Sequence, residues 1–374
     1  MKTMHSLRRY ARLAWACLLL AACAADKPAP KPLEPLEPKI AGRIVWSERV
    51  DGVKFPLAIA VNGNVFTVAG DDGTVVAIEA TTGRSIWRAQ VGATLSAGVG
   101  SDGRFAAVVT RGGELVVVEA GKVVWRKELG VRVSSAPLVA GERVFVLAVD
   151  RSVHAFDAFD GRRLWASKRP GDPLTLAHSG ALLAFGDTLL VGQGPRLAGL
   201  DPLRGSVRWE VAVATPRGTN EVERLADLVG PVVRVGKLVC SRAFQSAVGC
   251  VDGERGTLVW SKIAGGTHGV AGDEELLYGA DASDRLSAWR IGSGDVAWST
   301  EGMLYRGLTA PLRVGKTLVF GDAEGLVHWL SPDKGEPQLR LATDGSPVAA
   351  TPALAGTTML VATRNGGLVA FRPE

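Results

Sequence analysis

Four cysteines and five histidines are the side chains best suited to metal, redox or nucleophilic chemistry in this sequence. The histidines, His5, His154, His178, His268 and His328, are scattered. Neither His-x-x-x-His nor His-Glu-x-x-His spacing occurs, so no helix would offer two imidazoles to one zinc ion. His154 and His328 stand at equivalent points of a repeat described below and read as packing or surface residues. Two stretches look like phosphate loops. Gly98-Val99-Gly100-Ser101-Asp102-Gly103 satisfies Gly-x-Gly-x-x-Gly, but a strand-like run at residues 105–110 follows where a nucleotide fold needs a helix N-terminus. Gly315-Lys316-Thr317 ends like a Walker loop, yet Ala310 stands in place of its first glycine and the strand-like residues 318–320 follow. Both read as turns between strands.

The cysteines divide into two pairs. Cys17 lies in an apolar run, residues 13–22, preceded by Lys2, Arg8, Arg9 and Arg12 without an acid. This is an export signal, shorter than the roughly 20 residues a membrane span requires. It closes with Leu20-Ala21-Ala22-Cys23, which resembles the lipobox of bacterial lipoproteins, where small residues admit the peptidase and the cysteine thiol accepts diacylglycerol. Cys23 is therefore the expected lipidation site, with each buried methylene contributing about 0.8 kcal/mol to anchoring. The competing reading is ordinary cleavage within Ala22-Cys23-Ala24. Ala24 rather than Asp follows, which in the sorting pattern of such lipoproteins implies delivery to the outer membrane. The second pair, Cys240 and Cys250, flanks a turn near Gln245, and equal parity puts both on one side of a hairpin. In an oxidising compartment a disulfide there would contribute roughly 3 kcal/mol; two buried free thiols are the alternative.

The signal also removes the charge imbalance. Of 43 basic and 38 acidic residues, four basic ones leave with it, so the mature chain is nearly neutral and the pI of 9.1 gives no reason to expect a nucleic-acid partner. Residues 24–39 carry Pro28, Pro30, Pro32, Pro35 and Pro38 among Lys, Glu and Ala. That composition cannot bury a core and favours extended polyproline II, a tether between lipid and domain.

The elements that must position everything else recur from residue 40 onward. Each unit reads strand, Gly or Asp turn, strand, acid, short loop, Gly, three residues, Trp. The glycines at 83, 121, 161, 205, 256, 294 and 335 are separated by 38, 40, 44, 51, 38 and 41 residues. Trp87, Trp125, Trp165, Trp209, Trp260 and Trp298 follow the first six, and Leu339 stands where the seventh would be. A period near forty with four short strands is the mark of a propeller blade. The glycine lets the loop take a positive φ and the Trp lies between neighbouring blades; sugar stacking is the lesser reading of these indoles. An eighth unit is split, its third strand at residues 365–371 and its fourth at 42–46. The expected fold is all-β: an eight-bladed β-propeller of four-stranded antiparallel blades, the N- and C-terminal strands closing the last blade. Seven blades would result if the ends did not pair. The domain boundaries are residues 1–22 for the signal, 23–39 for the lipidated Cys and Pro-rich tether, and 40–374 for the propeller.

Residues 42–374 resemble the tryptophan-docked blades of pyrroloquinoline-quinone-type propellers. Quinoprotein dehydrogenases of that type carry adjacent cysteines, acidic and Asn calcium ligands and a catalytic Asp; no vicinal Cys pair exists here, so no cofactor, metal or catalytic residue is expected. More specific stretches are Glu221-Val222-Glu223-Arg224-Leu225-Ala226-Asp227, Thr309-Ala310-Pro311-Leu312 and Gly321-Asp322-Ala323-Glu324-Gly325-Leu326-Val327-His328-Trp329. With the lipobox, these resemble the BamB family, propeller lipoproteins of the outer-membrane β-barrel assembly (BAM) machinery. The resemblance implies a non-enzymatic scaffold on the periplasmic face of the outer membrane. It would bind the periplasmic (POTRA) domains of the barrel subunit BamA, meet other BAM subunits and assist nascent outer-membrane proteins.

The family's docking loops carry Leu-x-Leu-Arg and Arg-Leu-x-Asp-x-Asp. Leu174 and Leu176 match the first, with Ala177 in place of Arg; Arg224 and Asp227 match the second, with Val229 in place of the last Asp. These six are the expected partner-binding residues. Independently, residues 170–178 and 214–230 are the longer connections behind the spacings of 44 and 51, and long loops on a rigid scaffold are where binding residues concentrate. The leucines would serve as apolar anchors; burial in the first strand of their blade is the alternative. A glycan-binding propeller and a quinone-dependent dehydrogenase are the competing functions.

Overall fold

The computed structural model describes residues 28–55, 57–169, 174–176, 180–216 and 218–373. Cys23 and the signal lie outside them. Among the described residues, thirty-two strands form eight four-stranded antiparallel sheets and no helix occurs.

Burial explains why the sequence alternates between continuous and broken apolar runs. The third strand of blade 1, Thr74–Glu79, is buried along almost its whole length, because both its faces meet neighbouring sheets. The fourth, Ser85–Gln90, lies on the rim and is mostly exposed. Strands covered on both sides read as unbroken Val, Ile and Leu, whereas a rim strand keeps polar residues. The core is consequently a set of wedges between blades; one joins Phe66, Val76 and Ile78 of blade 1 to Leu360, Ala362 and Leu368 of blade 8.

Blade 8 is built from both ends of the domain. Gly42–Arg49 pairs antiparallel with Gly367–Pro373, Ile44 opposite Phe371 and Trp46 opposite Ala370, with a bulge between Ile44 and Trp46. The ring therefore has eight blades, and the chain's two ends are joined within blade 8 by backbone hydrogen bonds.

Indoles cover the seams between blades, except that between blades 7 and 8. The seven repeat glycines have φ of 66–81°, the left-handed region. They also leave room: a Cβ on Gly83 would come within 2.7 Å of the Trp46 ring, and one on Gly161 within 2.7 Å of Trp125. Trp46, Trp125, Trp165, Trp260 and Trp298 cover the third-to-fourth-strand turn of the next blade, and each donates its Nε1–H to a carbonyl there. Trp46 bonds Ala80 O at 2.8 Å, Trp165 bonds Pro202 O at 2.9 Å and Trp260 bonds Ile291 O at 2.7 Å. Leu339, buried at the blade 7 to blade 8 seam, has no donor to offer.

The up-down order of strands sorts the connections onto two faces. The upper face carries the turns between second and third strands, such as 70–73 and 322–325, and the connections between blades, such as 301–311. The lower face carries the other turns, such as 273–275 and 291–295.

The described part of the proline-rich segment differs from the free tether expected of its composition. It lies against the ring. Lys31 N bonds Leu304 O at 2.9 Å, and Lys39 N bonds Gln338 O at 2.8 Å. Leu33 packs on the wedge between blades 6 and 7, and Ile40 on the wedge between blades 7 and 8. A segment that cannot form its own core still adds apolar side chains to an existing one, and its extended backbone leaves donors and acceptors free to pair.

Candidate partner-docking site

The two long connections meet on the upper face. The first joins blade 3 to blade 4 (169–181) and the second joins blade 4 to blade 5 (213–227). Asp227, the last residue of the second, reaches across to the first: its Oδ2 accepts a hydrogen bond from Leu176 N at 2.7 Å. Its Oδ1 lies 3.6 Å from the guanidinium of Arg151, both side chains being mostly buried. Burial pushes the Asp227 carboxyl above its ordinary value, opposed by the Leu176 N–H and the Arg151 charge.

Arg151 is the hub of the arrangement. It donates to Leu174 O at 3.3 Å, and its own carbonyl accepts from Gln193 Nε2 at 2.7 Å. Thr175 Oγ1 donates to Val149 O at 2.8 Å. Leu174–Thr175–Leu176 is thus pinned along its backbone, and Leu174 remains 37% exposed. The second connection is pinned within itself. Asn220 Oδ1 accepts from Glu223 N at 2.9 Å, and Glu223 accepts from Thr219 N at 2.7 Å, closing a one-turn coil that carries Arg224. Leu174, Arg196, Glu210, Arg224 and Asp227 line a cavity of about 360 Å³ in which Glu210 pairs with both Arg169 and Arg196.

Of the six residues expected at the contact, the structure brings Leu174, Leu176, Arg224 and Asp227 to one surface. Ala177 lies outside the described residues. Val229 is placed otherwise: it belongs to the first strand of blade 5, Leu228–Val235, opposite Arg242, and is 1% exposed. The strand starts two residues earlier than the expected loop end at 230, because Leu228 N already bonds Gly194 O at 2.8 Å. Val229 therefore supplies core rather than contact surface.

Arg151 and Gln193 were not singled out by the sequence reading. A signal for Arg151 existed in the repeat. It occupies the turn position held by Gly73, Gly113, Gly325 and Gly366 elsewhere, and like them has positive φ, +66°. An L-residue there costs about 1–2 kcal/mol, so a non-glycine at this point of the repeat marks a side chain with a task.

Cys240 and Cys250 sit directly opposite each other in the second and third strands of blade 5, joined through their sulfurs and fully buried. The hub of the ring holds a cavity of about 790 Å³ lined mainly by apolar residues such as Leu57, Val99, Pro137, Pro231 and Leu308. Its ionisable lining among the described residues is His268 and Arg364, so no carboxylate there is available to hold a cation.

A protein-family model described as outer membrane protein assembly factor BamB matches residues 71–300. A Burkholderia pseudomallei (strain K96243) protein named outer membrane protein assembly factor BamB is 36% identical over 381 residues, which is 99% of this chain and 100% of that one. The chain belongs to the BamB family. The Bordetella pertussis BamB is 34% identical, covering 93% of this chain and 91% of its own. The crystal structure of BamB from Moraxella catarrhalis superposes with a TM-score of 0.81 at 22% identity, over 89% of this chain and all of that one. The fold alone is also shared with the quinohemoprotein alcohol dehydrogenase of Comamonas testosteroni, TM-score 0.67 at 16% identity over 88% of this chain and 76% of that one. Within the BamB family, the three stretches that carried the resemblance now have places. Residues 221–227 form the pinned coil and its acceptor, 309–312 line the hub, and 321–329 hold the buried Asp322 turn described below.

Proposed function

We propose that this chain is a non-catalytic scaffold of the outer membrane's β-barrel assembly machinery. An acylated Cys23 holds it on the periplasmic face, and its upper-face loops dock the periplasmic (POTRA) domains of the barrel subunit BamA, assisting the folding and insertion of outer-membrane proteins. The relatives named as outer membrane protein assembly factors support the role. The observation that carries the docking mode is the pairing of the two long connections through Asp227, which sets Leu174 and Arg224 on one pinned surface.

The chemistry of that surface suits docking. Its backbone is already ordered by Arg151, Asp227 and Thr175, so binding costs little loop entropy. One exposed leucine beside a cavity of mixed charge is the pattern of an apolar anchor in a polar rim. A dehydrogenase has no counterpart support at the hub, where the described lining is mainly apolar and lacks carboxylates.

Affinity purification of the acylated protein from detergent-solubilised membranes tests the role. Recovery of the barrel subunit with the wild type, and its loss with Leu174→Ala plus Leu176→Ala, is the expected result. A wild-type preparation free of any barrel-assembly subunit overturns the reading.

A further inference from the structure

The described proline-rich segment makes contacts that a tether does not need. Beyond its two backbone bonds to Leu304 and Gln338, Lys31 Nζ bonds Glu301 O at 3.1 Å and Lys39 Nζ pairs with Glu336 at 3.7 Å. Arg340 reaches Glu34 O at 3.4 Å. Most telling is Arg306, only 2% exposed, whose Nη1 donates to Lys31 O at 3.2 Å. The same guanidinium is held by Asp322 at 2.8 Å and by Glu324, so the donor aimed at the segment is anchored from the ring side. Leu33 and Ile40 bracket blade 7, and Ile40 joins the wedge of Leu339, the position where the repeat lacks its indole.

The direction of the segment is equally defined. Lys31 sits against Glu301, Leu304 and Arg306, in the upper-face connection between blades 6 and 7. Lys39 sits against Glu336 and Gln338, at the lower end of the blade 7 rim strand. The chain runs down the rim, and its N-terminal end is at the top.

We propose that residues 31–40 are a strap that fixes where the lipid anchor leaves the ring, turning the upper face and its rim at blades 6 and 7 toward the bilayer surface. The proposal rests on acylation of Cys23. Chain length decides the point. Were the chain free up to Ile40, the 17 residues from Cys23 could span up to about 60 Å, far more than the roughly 20 Å height of a blade, and either face could approach the membrane. With the strap docked, only the eight residues up to Lys31 remain, about 25 Å as polyproline II and at most about 29 Å. The lower face could then reach the lipid only if most of that length ran back down the rim. The docking loops of blades 3 to 5 share the upper face, so the strap also sets the side on which a partner near the membrane is met.

The test uses acylated full-length protein in proteoliposomes containing a short-range quencher-labelled phospholipid. Single cysteines placed at exposed sites of one blade carry the fluorophore: Ala282→Cys in the upper turn of blade 6 and Glu274→Cys in its lower turn. The buried Cys240 and Cys250 stay unlabelled. Quenching several-fold stronger at 282 than at 274 is expected, with the asymmetry collapsing when Leu33→Ser and Arg340→Ala release the strap from a ring that still melts in one cooperative transition. Equal or reversed quenching in the acylated protein overturns the orientation, and asymmetry that survives strap release overturns the strap's part in it. Absence of the acyl mass on Cys23 overturns the anchor itself and is read separately, by mass spectrometry.

Discussion

Asp227 Oδ2 and the backbone N–H of Leu176 are 2.7 Å apart although 51 residues separate them in the chain. That bond ties the connection before blade 4 to the one after it, and turns two loops into one surface. The Asp227→Ala protein is therefore expected to fold while exchanging the Leu176 amide faster. The N–H loses its acceptor, a cost of about 1–3 kcal/mol when buried, confined to the loop. Amide exchange mass spectrometry over residues 174–176 checks it. Asp227→Asn keeps the acceptor and should leave exchange close to wild type.

Asp322 is predicted to make the domain acid-sensitive. Its carboxylate is fully buried; burial alone would raise it, but hydrogen bonds from His328, Leu326 N and Arg306 outweigh that and hold it below the ordinary value of 3.8. A carboxyl lowered in the fold contributes stability that is complete above its unfolded value and is lost as pH falls through the folded one. Asp322→Asn should therefore lower the melting temperature near neutrality, by an amount reflecting about 1–3 kcal/mol, because the buried Arg306 loses its buried charge partner and keeps only Glu324. The gap between variant and wild type should narrow once pH drops below 3.8. A gap independent of pH would show that the charge on Asp322 is not what stabilises the turn.

Trp260 bolts blade 5 to blade 6 through a 2.7 Å bond to Ile291 O and is only 7% exposed. Trp260→Phe keeps much of the ring area and removes the donor, so a loss of about 1–3 kcal/mol is expected, most of it from the stranded carbonyl. Urea unfolding with an unchanged m-value checks that the effect is on stability alone.

The buried sulfur pair, Cys240 and Cys250, closes a loop of sequence separation 10. Thiol titration of the unfolded, unreduced mature protein should find no free thiol. Reduction should cost about 3 kcal/mol. Two titratable thiols without reductant would reject the bond.

Much of this architecture was legible in the sequence because the repeat is local chemistry written eight times. Gly83 needs a positive φ and clearance under Trp46, and no other residue supplies both; a glycine of positive φ recurs at every seam except that between blades 7 and 8. The split eighth blade could be read from Gly42–Arg49 and Gly367–Pro373 because each half was an incomplete copy of that pattern. The parity of Cys240 and Cys250 about Gln245 likewise placed them opposite each other.

What escaped was tertiary. Val229 looked like a loop residue, since nothing in the local sequence states that Leu228 already pairs with Gly194. Arg151 lies 76 residues before Asp227 in the chain, and only its place in a glycine position of the repeat hinted at it. The proline-rich segment has the composition of a free tether. Its docking involves Arg306, a side chain 275 residues from Lys31, and no pattern within the segment records that.

The account stands most directly on whether the paired loops bind the barrel subunit. Binding of purified POTRA domains to the mature soluble protein, measured by calorimetry, should give a saturable one-to-one complex. Leu174→Ala with Leu176→Ala should weaken it by at least about tenfold, the scale of lost apolar anchors, with the melting temperature unchanged. Affinity that is indifferent to these leucines, or no binding by the wild type, contradicts the account.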